Sequence, residues 1–96
     1  MSQLELSVLS DKDYLTTVEV SSLLCIPETL IIEWIEHDVV YARYEQKVYY
    51  IASDQLNKIK SALRLANDLG VNAPGISIIL ALRQKVKYLE ALVERK

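Results

Sequence analysis

The side chains able to do chemistry are few and scattered. The 96-residue chain has one cysteine, Cys25, and one histidine, His37. One thiol and one imidazole give no CxxC-type zinc site, no Cys–His pair and no Ser-His-Asp set that the sequence can support. Gly70 and Gly75 are the only glycines, so no glycine-rich loop exists to cradle a phosphate. What remains is carboxylate. Glu28, Glu33, Glu36 and Asp38 all fall within PETLIIEWIEHDVV, Pro27 to Val40, a stretch without a single Lys or Arg. Nothing there suggests the burial that tunes a carboxylate for acid–base work. The expectation is a non-enzyme with no catalytic residue, no metal and no cofactor, leaving recognition by charge.

Charge is unevenly spread. Residues 1–42 carry eight acids against Lys12 alone, a net −7, whereas residues 43–96 carry ten bases and five acids, a net +5. Such an asymmetry is a statement about partners: the first half attracts basic surfaces and repels phosphate. Cys25 reads as a small buried apolar residue in a reducing cytoplasm. The longest apolar run, Gly75 to Leu82, is far short of the ~20 residues of a membrane span. The start, MSQLELSVLSDKD, lacks a basic region ahead of an apolar one and is not a secretory signal. A cytoplasmic protein without membrane contact is expected.

The elements that must position the acids can be read from periodicity. Gln3–Val8 alternates polar and apolar residues like a short strand. Thr16-Thr17-Val18-Glu19 has capping-box spacing and predicts a helix over about 17–24 that buries Val18, Val20, Leu23 and Leu24. Cys25-Ile26 makes a turn, and Pro27 pre-sets the next helix. On that helix Leu30, Ile31, Trp34 and Ile35 share one side, with Trp34 a core residue. Glu28, Thr29, Ile32, Glu33 and Glu36 share the other. His37 lies near its end, where a cation is favoured.

Tyr41–Tyr44 and Val48–Ile51 flank a polar Glu45-Gln46-Lys47 and suggest a hairpin. Two of its tyrosines are expected to pack inward and two to cover the sheet edge. Ser53 is a candidate N-cap for a third helix with Leu56, Ile59, Leu63 and Ala66 inward, closed by Gly70. Asn72 can cap a last helix with Pro74 in its first turn. That helix bears Ile79, Leu82, Val86, Leu89 and Val93 at steps of three and four. The chain is expected to form one domain over 1–96: an N-terminal strand or arm (1–15), a helix-turn-helix with wing (16–70) and a C-terminal helix (71–96).

This order, together with Ala62-Leu63-Arg64-Leu65-Ala66-Asn67-Asp68-Leu69, Asn72-Ala73-Pro74-Gly75-Ile76 and Leu80-Ala81-Leu82, resembles the MerR-type winged helix-turn-helix. Within it the chain resembles the CbpM-type chaperone modulators, departing at Ala73, where some relatives carry an aromatic. The resemblance implies a mainly α fold with a small β hairpin or wing and a long C-terminal helix. It also implies a non-enzymatic adaptor that binds the J-domain of a CbpA/DnaJ-like co-chaperone. Such binding blocks the co-chaperone's work with Hsp70 and its attachment to DNA.

Two faces then compete with blander roles. A charged helix side is usually just a solvated face. Here Thr29 and Ile32 occupy positions where MerR-type readers carry DNA-contacting bases, and Ile32 is an apolar spot rimmed by acids. Glu28, Ile32, Glu33 and Glu36 are therefore the candidate J-domain-binding residues, with DNA binding not expected. Val86, Leu89 and Val93 are candidates for a homodimer seam, similar to the way MerR-type proteins use their last helices. The rival reading is a MerR/excisionase-like DNA-binding regulator that relies on Arg43, Lys47, Lys58, Lys60 and Arg64.

Overall fold

The computed structural model describes residues 13–95; the strand expected at Gln3–Val8 lies outside them. Strand β1 (Tyr14–Thr16) leads into α1 (Thr17–Leu24) and, after a tight turn, α2 (Glu28–Glu36). Strands β2 (Arg43–Glu45) and β3 (Val48–Ala52) form the wing. One 3-10 turn (Ser53–Gln55) then opens α3 (Leu56–Leu69), and α4 (Ala73–Glu94) follows. The sheet is antiparallel in the order β1-β3-β2. Tyr50 has Thr16 on one side and Arg43 on the other, so β1 ties the wing to the helices.

The capping box at the head of α1 forms as its spacing predicts. The Glu19 amide donates to Thr16 Oγ1 at 3.2 Å, and the Thr16 amide donates to Glu19 Oε1 at 2.8 Å. The inward face of α1 differs from the one expected. Thr17 and Val20 are buried and Leu24 packs partly on the core, while Val18 and Leu23 are each 61% exposed. At 100° per residue, Thr17, Val20 and Leu24 cluster tightly, and Val18 and Leu23 flank that direction by about 100° or more on either side. With only eight residues, the helix has room for one inward stripe.

Cys25, expected to be buried, is exposed. It ends α1 in the left-handed conformation, φ 57°, with its amide donating to Ser21 O. That geometry turns the side chain's position into part of the reversal. Ile26 takes the inward place instead, and Pro27 precedes α2 with φ −64°.

Helix α2 docks through Ile31 and Trp34, at 0% and 1% exposure, with Leu30 and Ile35 leaning on the same core. Trp34 is thus a core residue. The helix ends in a Schellman arrangement: the Asp38 amide donates to Ile35 O (3.1 Å) and the Val39 amide to Trp34 O (2.8 Å). Asp38 takes the left-handed position at φ 60°, which sends Val39 and Val40 inward, where both are buried.

The hairpin turns over Gln46 and Lys47, both left-handed at φ 51° and 68°. Glu45 pairs with Val48, so this is a two-residue primed turn whose twist suits the strands, built here without glycine. Ser53 does not cap α3. It opens the 3-10 turn, and α3 begins without a side-chain cap. Gln55, at the junction, instead accepts the Tyr41 amide at 3.2 Å and pins the loop that leaves α2.

Ile59, Ala62 and Leu65 are the deepest residues of α3, flanked by the partly buried Leu56, Leu63 and Ala66. Gly70, at φ 65°, closes α3 as expected. Asn72 caps α4, its Oδ1 accepting the Gly75 amide at 3.0 Å, with Pro74 in the first turn. A Cβ on Gly75 would come within 2.7 Å of Val71 Cγ1, so the close approach of this cap requires glycine. Only the start of α4 joins the core, through Ala73 and Ile76, with Ile79 and Leu80 partly covered.

Candidate functional site

The acidic helix offers a face of two kinds of residue. Glu33 and Glu36 are exposed and one helical turn apart, and Ile32 beside them is half-buried. Glu28 is not equally free. Thr17, itself 5% exposed, donates from Oγ1 to Glu28 Oε2 at 2.6 Å, joining the first residues of α1 and α2. A hydrogen bond to a charged group of this sort is worth about 1.5–3 kcal/mol. Glu28 therefore has a structural task, and a partner reaching it finds one oxygen already engaged. No periodicity signals this pairing across 11 positions, because it depends on how two short helices meet.

The acids also sit against the local electrostatics. No base lies in the last turn of α2, and Glu36 and Asp38 stand at its negative end, where cations are favoured. Asp38 adds a non-glycine residue in the left-handed region, at a cost of about 1–2 kcal/mol. His37, the residue that follows the helix, is exposed. These choices weaken the helix and strengthen the negative potential of its outer end. Departures from local preference of this kind are found at functional or strained sites.

The wing has its own exposed cluster. Tyr44 and Tyr49 face each other across the hairpin with ring centroids 4.7 Å apart, tilted at 49°. Tyr41 is 64% exposed, and Lys58 Nζ lies 4.6 Å from its ring centroid. Tyr49 and Tyr50 are half-buried while Tyr41 and Tyr44 are open, so none of the four goes fully inward. Arg43 spends its charge on Glu45 at 3.0 Å, an exposed pair worth at most about 1 kcal/mol. Lys47 occupies the turn.

The last helix carries the second candidate surface. Every residue from 81 to 95 is exposed, including Leu82 (55%), Val86 (52%), Leu89 (49%) and Val93 (69%). Val86, Leu89 and Val93 line a shallow apolar groove of about 480 Å³ with Glu90 and Glu94 on its rim. Leu92, 42% exposed, adds to the apolar area and escaped the three-and-four spacing. This region is separate from the α2 face; nothing brings the two together within one chain among the described residues.

Among the described residues no group of three or more His, Cys, Asp or Glu could hold a metal ion. No helix among them is long and apolar enough to cross a membrane.

Helix, tight turn, helix, two-stranded wing and two further helices define a winged helix-turn-helix with a long C-terminal helix. The family model described as MerR HTH family regulatory protein matches residues 15–95. The chain belongs to that family of regulatory proteins. No curated protein and no solved structure matches it.

Proposed function

We propose that this MerR-family chain is a non-enzymatic chaperone modulator that binds the J-domain of a CbpA/DnaJ-like co-chaperone. By occupying that J-domain it excludes the Hsp70 partner and interferes with DNA attachment. The observation that carries this reading is the outer face of α2. In the position of a recognition helix it presents Glu33, Glu36 and Ile32, with Glu28 and Asp38 nearby and no base. A phosphate backbone is repelled by such a face, whereas the basic helix of a J-domain is attracted to it. Ile32 supplies a small apolar centre within a charged rim. The partner requires neither a cofactor nor a metal. In the same reading α4 joins two copies through Val86, Leu89 and Val93.

The test is a fluorescence titration of the full chain with a J-domain at about 50 mM and about 500 mM salt, where screening lengths differ about threefold. Association is expected to weaken with salt, and Glu33→Lys with Glu36→Lys to slow it at least about tenfold. Binding unchanged by that double replacement would remove the acidic face from the mechanism.

The rival reading is a DNA-binding regulator that uses Arg43, Lys47, Lys58, Lys60 and Arg64. The exposed tyrosines of the wing suit a single strand, whose open bases stack on such rings, and give a duplex nothing comparable. Also against it, Arg43 is paired with Glu45 and Lys58 lies over Tyr41. Duplex binding needs several neutralised phosphates. Submicromolar duplex binding at low salt would replace the chaperone reading with this one.

A further inference from the structure

A basic groove runs between α3 and α4. Its first part, about 440 Å³, is lined by Lys58 and Ser61 from α3 and by Leu80, Arg83 and Lys87 from α4. It continues into a second part of about 370 Å³ that shares Ser61 and Arg83 and adds Arg64, with Asp68 at its far end. Among the described residues the only ion pair is Arg43–Glu45, so none of these four cations has a carboxylate partner there; Lys58 lies over the Tyr41 ring, and Arg64, Arg83 and Lys87 make no such contact among those residues. Leu80, partly buried against the core, gives the groove an apolar floor.

We propose that this groove receives helix α2 of a second copy of the chain, and that the contact hides the acidic face when no outside partner is present. The fit is one of charge, length and floor. Glu33 and Glu36, three residues apart, project from one side of a helix as anchors do in helix-in-groove recognition. Helix α2 has nine residues, about 14 Å at 1.5 Å each. Positions 57–68 of α3, which bound the groove, run for about 18 Å, enough to seat α2 along their length. Ile32 meets Leu80 at the centre while the carboxylates meet Lys58, Arg64, Arg83 and Lys87 around it. A nucleic acid fits less well, because four cations neutralise few phosphates and Asp68 stands at one end. An enclosed small-molecule site is also a poorer match, since the groove is open along its length.

The contact differs from the apolar seam on α4 in its physics: it is screened by salt, whereas apolar association is not. The experiment is sedimentation velocity on three full-length proteins, each checked for fold by circular dichroism. These are the wild type, E33K/E36K, and K58E/R64E, whose changes lie on α3 and spare the α4 stripe. For the wild type, the average mass is expected to fall as salt rises from about 50 to about 500 mM. Each variant alone should show the high-salt mass at low salt. An equimolar mixture of the two variants should regain the low-salt mass, because a lysine-bearing α2 then meets a glutamate-bearing groove. Simple loss of stability cannot produce that rescue.

Mass that does not respond to salt, or a mixture no heavier than its components, overturns the proposal. K58E/R64E keeps its acidic face, so it should bind a J-domain at least as tightly as the wild type. Normal J-domain titration without rescue in the mixture would sink self-docking while leaving the proposed function standing. Loss of both would sink the two together.

Discussion

Helices α2 and α4 handle apolar residues in opposite ways. Helix α2 turns its large side chains to the core and leaves Glu33, Glu36, Thr29 and a half-covered Ile32 outside. Helix α4 spends its first two turns on the core and leaves Leu82, Val86, Leu89, Leu92 and Val93 in solvent. The surface α2 offers is therefore electrostatic, reaching outward over roughly a Debye length and governing encounter rate. The surface offered by α4 acts only on contact and is governed by apolar area. One small domain thus carries two exposed surfaces of different physics, one electrostatic and screened by salt, the other apolar.

The sharpest way to break this contrast is to truncate an apolar residue in each helix. Trp34→Ala should lower unfolding free energy by about 3–5 kcal/mol, a loss large enough to unfold a small domain, measured by urea denaturation. Gly75→Ala tests the capped first turn through which α4 docks. The clash with Val71 and the strained Asn72 cap should cost about 1–3 kcal/mol in the same assay. Asp38→Gly should act in the other direction. By relieving a left-handed aspartate and a negative charge at the end of α2, it should stabilise the fold by about 1 kcal/mol and slow J-domain association modestly. The smallest effect on the fold belongs to Val86→Ser with Leu89→Ser. Unfolding free energy of dilute protein should change by less than about 1 kcal/mol, while light scattering at high concentration should report loss of the proposed α4 dimer. If the serine pair destabilised the isolated chain as much as Trp34→Ala, the two helices would not differ as described.

Much of this architecture was legible because it is local. The capping box at Thr16, the glycine stop at Gly70 and the Asn72 cap each depend on residues within three or four positions. The phase of α2 followed from four apolar residues in nine. What escaped was set by distant neighbours or by backbone shape. Val18 and Leu23 face outward while Thr17, bonded to Glu28, lies inward, a bond between helices that no periodicity reports. Cys25 is exposed because the chain reverses through it. Ser53 lost its cap to a 3-10 turn, while Gln55 was recruited by the Tyr41 amide. Of the candidate site, Glu33 and Glu36 were read as exposed and are so. Glu28 shared their wheel position, and its occupied oxygen appears only in three dimensions. The basic groove was invisible for the same reason: Lys58 and Arg83 lie on different helices, 25 positions apart.

The outer part of α4 has a consequence for how the chain breathes. Among the described residues no element covers 81–95, and an isolated helix of about 15 residues is only marginally stable in water. Its amides should therefore exchange with deuterium by local fraying, orders of magnitude faster than those around Ile76, which open only when the core does. Under the proposed pairing of copies through α4, raising protein concentration should slow exchange over residues 81–95, making this helix a gauge of that pairing.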